Sequence, residues 1–192
     1  MTPEAILSLF EKNGHLLSAR NLATAVHRIG KLGGRRVTRD SRFERLIETC
    51  GRRIGEFEPQ QIANIAWGCA KIGITNQRFF KAIAVEASRR VNAFNPQAMA
   101  NMVWAFATAR IAADPLFKAV AAEVPRRIDE FNAQGMANTV WAFATASVAA
   151  DPLFKAVAAE VPRRMDEFNA QDKANIVWAF ACSGWEQCDL FR

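Results

Sequence analysis

The sequence predicts an all-α solenoid of stacked helical hairpins, and two observations carry that prediction. Landmark residues return every thirty-seven positions: Trp67, Trp104, Trp141 and Trp178, in step with Phe57, Phe94, Phe131 and Phe168 and with Asn64, Asn101, Asn138 and Asn175. No segment alternates apolar and polar residues as a half-buried strand does, whereas apolar residues recur at three- and four-residue steps within each copy. A hairpin this apolar cannot bury its own surface, and stacking identical units does.

The elements follow in order along the chain. Residues 1–16 form an N-terminal segment in which Glu4 and Glu11 argue against both a secretory signal and an organelle transit peptide. Residues 17–56 are a degenerate repeat: "SARNLATAVHRIGKLG" aligns with "EPQQIANIAWGCAKIG", setting His27 where Trp67 stands, with a longer turn around Gly33-Gly34. Full repeats occupy 57–93, 94–130 and 131–167, and the last two differ at six positions. Residues 168–192 supply a half repeat and tail.

Each repeat reads as two helices. Asn95-Pro96 is an N-cap followed by proline at the first helical position, where the missing N–H costs nothing. Asp114-Pro115 and Asp151-Pro152 are expected to open the second helix by the same device, and Pro125 and Pro162 to interrupt it. The Trp, Phe and Ala positions are expected to form the stacking core, as aromatics at helical spacing amid alanines and valines usually do; a Trp ladder that binds nucleobases is the alternative. After residue 184 the expectation is an open end or the start of a longer array; the alternatives are a tail folded back through Trp185 or a partner protein covering the end.

Composition narrows function. A formal charge of +6 is concentrated in residues 1–56, which hold eleven Lys or Arg against six Asp or Glu. Arginine outnumbers lysine eighteen to seven, and its planar fork suits phosphate. No apolar run approaches the ~18 residues that span a bilayer, so the chain reads as soluble, intracellular and without a membrane partner. Cys50, Cys69, Cys182 and Cys188 have unrelated spacings, and only His15 and His27 could join them, so free buried thiols are expected and neither a metal nor another cofactor. "KLGGRR" follows no strand and is a turn, not a phosphate loop, and no nucleophile or acid–base pair stands in a recognisable frame. An enzyme is not expected.

The candidate binding residues lie on the first helix of each repeat. Gln97, Asn101 and Thr108 share one side, as do Gln60 and Asn64, Gln134 and Asn138, and Gln171 and Asn175. Such an amide stripe either reads base edges or fixes stacking register through hydrogen bonds. Beside it two positions vary between copies: Gln61, Ala98, Gly135, Asp172, and one turn later Ile65, Met102, Thr139, Ile176. Readers of single-stranded RNA select one base per repeat through two or three side chains, and this pair is the expected selector, with idle drift at exposed sites as the alternative. For phosphate the candidates are Arg28, Lys31, Arg35, Arg36, Arg39, Arg52, Arg53, Arg89 and Arg90. The later pairs Arg126-Arg127 and Arg163-Arg164 have acids at ion-pairing distance along the chain.

The string F-x-x-Q-x-x-A-N-x-x-W-A-F-A in "FNPQAMANMVWAFA" resembles octotricopeptide-type repeats. It is similar to the helical repeats of FAST-kinase-like and RAP-domain proteins of mitochondria and chloroplasts, and to subunits of kinetoplastid RNA-editing substrate-binding complexes. The likeness covers residues 57–184 well and 17–56 weakly. It implies an organellar α-solenoid that binds single-stranded RNA through the first helix of each repeat and serves RNA processing, stability or translation. The alternative is a protein-interaction scaffold, toward which the nearly neutral C-terminal repeats weigh.

Overall fold

A computed structural model describes residues 2–33 and 35–185. Gly34 of the expected turn, the tail beyond Trp185 with Cys188, and the side chain of Arg35 lie outside the described residues. The described residues form ten α-helices, linked by short loops and 3-10 turns. The first helices of successive repeats are α2 (Ala19–Leu32), α4 (Pro59–Lys71), α6 (Pro96–Ala109), α8 (Ala133–Thr145) and α10 (Ala170–Cys182), and each packs broadly on the next to make an inner layer. The second helices, α3 (Ser41–Arg52), α5 (Gln77–Arg89), α7 (Asp114–Glu123) and α9 (Asp151–Glu160), touch one another more lightly in an outer layer. Helix α1 (Pro3–Asn13) packs on α2 and α3. The array is the expected all-α solenoid.

Local chemistry places the helix ends. Asn95, Asn132 and Asn169 accept a hydrogen bond from the backbone N–H three residues on, satisfying a donor the helix leaves orphaned. The second helices begin differently from the expectation. Asn76 caps α5, but the residue in that register in α7 and α9 is Ala113 or Ala150, so Asp114 and Asp151 lie inside the first turn and cap nothing. There their charge still complements the helix dipole. Prolines 125 and 162 act as expected: α7 and α9 stop after ten residues and continue as 3-10 turns, whereas α5, with Ser88 in that register, runs for thirteen.

Every first helix closes on a residue with positive φ in one register: Gly33, Gly73, Arg110, Ser147 and Gly184. Arg110 and Ser147 hold that left-handed conformation with a Cβ, at a cost of roughly 1–2 kcal/mol each. The core runs between the layers and is rich in phenylalanine: Phe57, Phe94, Phe131 and Phe168, with Phe80, Phe106, Phe117, Phe143, Phe154 and Phe180, are all buried. Phe106 meets Phe80, Phe143 meets Phe117 and Phe180 meets Phe154 edge-on at 5.0–5.1 Å, one such pair per hairpin junction. Trp185 folds back onto the last hairpin, stacking on Phe154 at 6.1 Å; its backbone N–H donates to the Phe180 carbonyl as Val148 does to Phe143 and Ile111 to Phe106. The return of Trp185, one half of the fold-back that the sequence offered as an alternative, is thus the ordinary loop of the repeat, and the tail that would complete it lies outside the described residues.

The inner helices join through two complementary stripes. One helix presents Ala100, Val103 and Ala107, or their counterparts in the other copies, and the next receives them on Ala98, Met102 and Ala105, or theirs. The joint is closest between α2 and α4. A methyl group built on Gly68 would lie 2.7 Å from the Val26 carbonyl oxygen, and one on Gly30 would lie 2.6 Å from the Gly68 Cα. Only glycine at both positions lets the backbones approach this far.

Candidate nucleic-acid interface

The inner layer turns one further stripe toward solvent. On α6 it comprises Gln97, Asn101, Trp104 and Thr108, spaced by four, three and four residues so that all share a face. Gln60, Asn64, Trp67 and Lys71 repeat it on α4; Gln134, Asn138, Trp141 and Thr145 on α8; Gln171, Asn175, Trp178 and Cys182 on α10. The counterparts on α2 are Arg20, Thr24, His27 and Lys31. The tryptophans therefore correct the expectation that placed them in the stacking core. Trp67, Trp104 and Trp141 are half-buried and Trp178 is 45 % exposed, while the phenylalanines take the interior.

These aromatic side chains line up along the solenoid. His27 lies 5.1 Å from Trp67, Trp67 lies 6.4 Å from Trp104, and Trp141 lies 6.3 Å from Trp178, centroid to centroid, with the indole pairs tilted by 32° and 35°. The Lys71 ammonium sits 5.6 Å from the Trp67 ring and 5.8 Å from the Trp104 ring, a cation bridging two π-faces. Burial, and secondarily the Lys31 charge, lower the pKa of His27 below its ordinary value of 6.5, so this rung is a neutral ring at pH 7.

The amides flank the ladder and bond to one another. Gln60 Nε2 donates to Asn64 Oδ1 at 3.2 Å, and Gln171 Nε2 to Asn175 Oδ1 at 2.9 Å. Asn95, the cap of α6, donates to Gln60 Oε1 across the joint at 3.1 Å. Gln97, Gln134 and Gln171 are exposed, and Asn64, Asn101, Asn138 and Asn175 are half-buried. Both uses foreseen for the stripe are open to it: one cross-joint bond ties the register, and amide groups remain at the surface.

The expected selector pair is elsewhere. Ala98, Gly135 and Asp172, and Ile65, Met102, Thr139 and Ile176, are all buried in the receiving stripe of the joints. Gln61 is partly buried, and its side chain accepts from the Glu58 N–H to cap α4. Thr139 turns its hydroxyl back to the Gly135 carbonyl at 2.7 Å. The copies vary at these positions because each joint is packed a little differently, and side chains closed beneath a neighbouring helix do not meet a base.

The arginine pairs divide into two roles. The second member reaches 33 or 36 residues back along the chain. Arg53 donates to the Leu17 carbonyl, Arg90 to Phe57, Arg127 to Phe94 and Arg164 to Phe131, at 2.8–3.1 Å. Three of them also clamp a glutamate with two donors, Glu56, Glu130 or Glu167, holding that carboxyl below its ordinary range, while Arg90 pairs with Glu86. Arg53 and Arg90 are thereby committed to the repeat, which corrects their expected role at phosphate. The first members, Arg52, Arg89, Arg126 and Arg163, are exposed. So are Arg28, Lys31, Arg36 and Arg39, the last two on the 3-10 turn Arg35–Arg39 that leads into α3.

Among the described residues no group of three or more His, Cys, Asp or Glu is placed to hold a metal ion, and no helix is long and apolar enough to cross a membrane. Cys50 and Cys69 are buried free thiols, and burial pushes Cys50 up to about 12; Cys182, against expectation, is exposed at the foot of the ladder. The ladder itself was legible in the sequence, since each tryptophan stands seven residues after the glutamine and three after the asparagine of the amide stripe. The family model of RNA-editing substrate-binding complex 6 protein matches residues 11–192, nearly the whole chain. No curated protein matches.

Proposed function

The chain belongs to the RNA-editing substrate-binding complex 6 protein family, and from that premise we propose that it binds single-stranded RNA, without catalysis, along the ladder face of its inner helices. The observation that carries this reading is the row of half-exposed rings His27, Trp67 and Trp104, continued by Trp141 and Trp178, at one rung per repeat. Bases stack on aromatic side chains whatever their sequence, at about 1–3 kcal/mol per base. The flanking Gln and Asn side chains carry both donors and acceptors for base edges. At the N-terminal end the exposed Lys31 belongs to the strip, and the exposed Arg28, Arg36 and Arg39 lie on α2 and the turn after it as further cations for phosphate. Lys71 marks the rings as open to a π-face partner; a base that stacks there displaces its ammonium toward the backbone phosphate.

An organellar role in RNA processing, in a mitochondrion or a chloroplast, extends the proposal by resemblance. Titration of the chain with labelled single-stranded RNA of random sequence, at two salt concentrations and beside a duplex, tests it. Single-strand binding that weakens steeply with salt agrees with the reading, since phosphate contacts release counterions. Equal affinity for duplex, or no binding at low salt, overturns it and leaves the protein-scaffold reading, toward which the nearly neutral C-terminal repeats weigh.

A further inference from the structure

The ladder has a break in its middle. Rings touch from His27 through Trp67 to Trp104 and again from Trp141 to Trp178, but among the described residues no ring contact joins Trp104 to Trp141. The helices that carry those two rungs, α6 and α8, pack on each other as broadly as α4 and α6 do, so the break belongs to the rings and not to the joint beneath them. Aromatic rings in contact stand roughly 4.5–7 Å apart, centroid to centroid. The indole pairs at 6.4 and 6.3 Å therefore leave no room for a third ring, whereas a flat ring can enter at the break.

The polar groups of the same two helices are unspent. On α4 and α10 the ladder glutamine donates to the ladder asparagine, and Gln60 also accepts from Asn95. Among the described residues the side chains of Gln97, Asn101, Gln134 and Asn138 make no such bond, although both asparagines are half-buried. Thr145, one turn after Trp141, keeps its hydroxyl oxygen buried and without a partner. Thr24, Thr49 and Thr139 instead donate theirs to the carbonyl four residues back, at 2.7–2.8 Å. A buried polar atom left unpaired marks a place that a water or a ligand completes. The foot of the stripe changes here as well. Lys71 lays its ammonium over the Trp67 and Trp104 rings, whereas the residue in its register on α6 is Thr108, too short to cover the break.

Resting on the ladder reading above, we infer that the break is a slot for one unpaired adenine, held between the Trp104 and Trp141 rings. An indole on each face doubles the stacking that a single platform gives a base. The amides of α6 and α8 each set a carbonyl acceptor beside an N–H donor, the complement of the N6 donor and N7 acceptor of adenine. Guanine offers two acceptors, O6 and N7, and calls for a cation at its edge. The ladder stripes of α2 and α4 end in Lys31 and Lys71, but those of α6 and α8 hold no cation. A pyrimidine covers less of two indole faces than a purine does. One nucleotide of the bound strand is thus read in the slot, while its neighbours stack on closed rungs whose amides are already bonded to each other.

The test titrates the full chain with four single-stranded RNAs of equal length, one all uridine and the others with a single central adenosine, guanosine or cytidine. The inference predicts that the adenosine strand binds at least tenfold more tightly than the other three. Trp141→Ala removes that preference, whereas Trp178→Ala, the same change one rung on, weakens all four strands alike and keeps it. Because Trp141 is half-buried, Thr108→Lys supplies a variant at an exposed position. A lysine there covers the break as Lys71 covers the rung before it, and it abolishes the adenosine preference while steepening the salt dependence of binding. Equal affinity for the four strands, a preference for another base, or an adenosine preference that survives Trp141→Ala or Thr108→Lys overturns the slot and leaves the ladder standing. Failure to bind any of the strands overturns the ladder reading and the slot together.

Discussion

From α4 to α10 the inner helices carry a receiving stripe and a ladder stripe about a quarter-turn apart, and the two differ in what the copies do. Along the receiving stripe the residues change from copy to copy, Ala98 to Gly135 to Asp172 and Met102 to Thr139 to Ile176, yet the environment stays closed. Along the ladder stripe Gln, Asn and Trp repeat from α4 to α10, yet the environment is open. A tryptophan retained four times at a half-exposed position does not serve packing alone, whereas variation beneath a neighbouring helix needs no ligand to explain it. In this array, constancy at the surface marks the face proposed to bind RNA, and variation inside lies where each joint is filled.

The largest expected effect separates a covered from an uncovered copy of one residue. Val140→Glu buries an unpaired carboxylate in the α8/α10 joint and should cost more than about 4 kcal/mol, while Val177→Glu, the identical change one repeat on, should stay within about 0.5 kcal/mol. Urea melts of the two variants check this, and equal losses would break the distinction between the joints and the open face. Next comes the arginine pair. Arg127→Ala removes a charged bond to the Phe94 carbonyl worth about 1.5–3 kcal/mol, the exposed Glu130 partner adding little, and Arg126→Ala should change stability by less than about 0.5 kcal/mol. The same melts show whether the second arginine is the staple. Ser147→Gly relieves a side chain held at a φ of 55° and should raise stability by up to about 1 kcal/mol, offset in part by the entropy glycine adds to the unfolded chain.

The smallest effect concerns the first rung. Folding lowers the pKa of His27, so the unfolded chain binds a proton more readily. That residue leaves stability untouched above the ordinary value of 6.5 and erodes it as pH falls below, and His27→Gln should flatten that part of a stability-against-pH profile.

Much of this arrangement was legible in the sequence. The repeat interval, the Asn caps and the proline stops follow from positions alone, and the first-helix stripes follow from helical spacing. What spacing cannot say is which side of an amphipathic helix meets the next helix when both sides hold small or apolar residues. Ala98 and Met102 stand beside Gln97 and Asn101 on the helical wheel, and only the close approach at Gly68 and Ala105 decides that the former pair is covered. The arginine staples were hidden for another reason. Arg127 and the Phe94 carbonyl are 33 residues apart, and their meeting depends on how the second helix returns to the start of the first. The left-handed closure was signalled by Gly73 and Gly184 in one register, and was masked at Arg110 and Ser147 by residues that rarely adopt it.

The central claim is that the ladder, and not the variable pair, is the RNA-binding surface, and one comparison tests it most directly. Single-stranded RNA affinity is measured for the native chain, for Trp67→Ala with Trp104→Ala, and for the joint substitution Met102→Ile, which keeps the fold and changes only the expected selector. Stacking at about 1–3 kcal/mol per base predicts at least a tenfold loss for the tryptophan variant and an unchanged affinity and base preference for Met102→Ile. Undiminished binding after loss of both tryptophans, or a shift in base preference with Met102→Ile, would contradict the account.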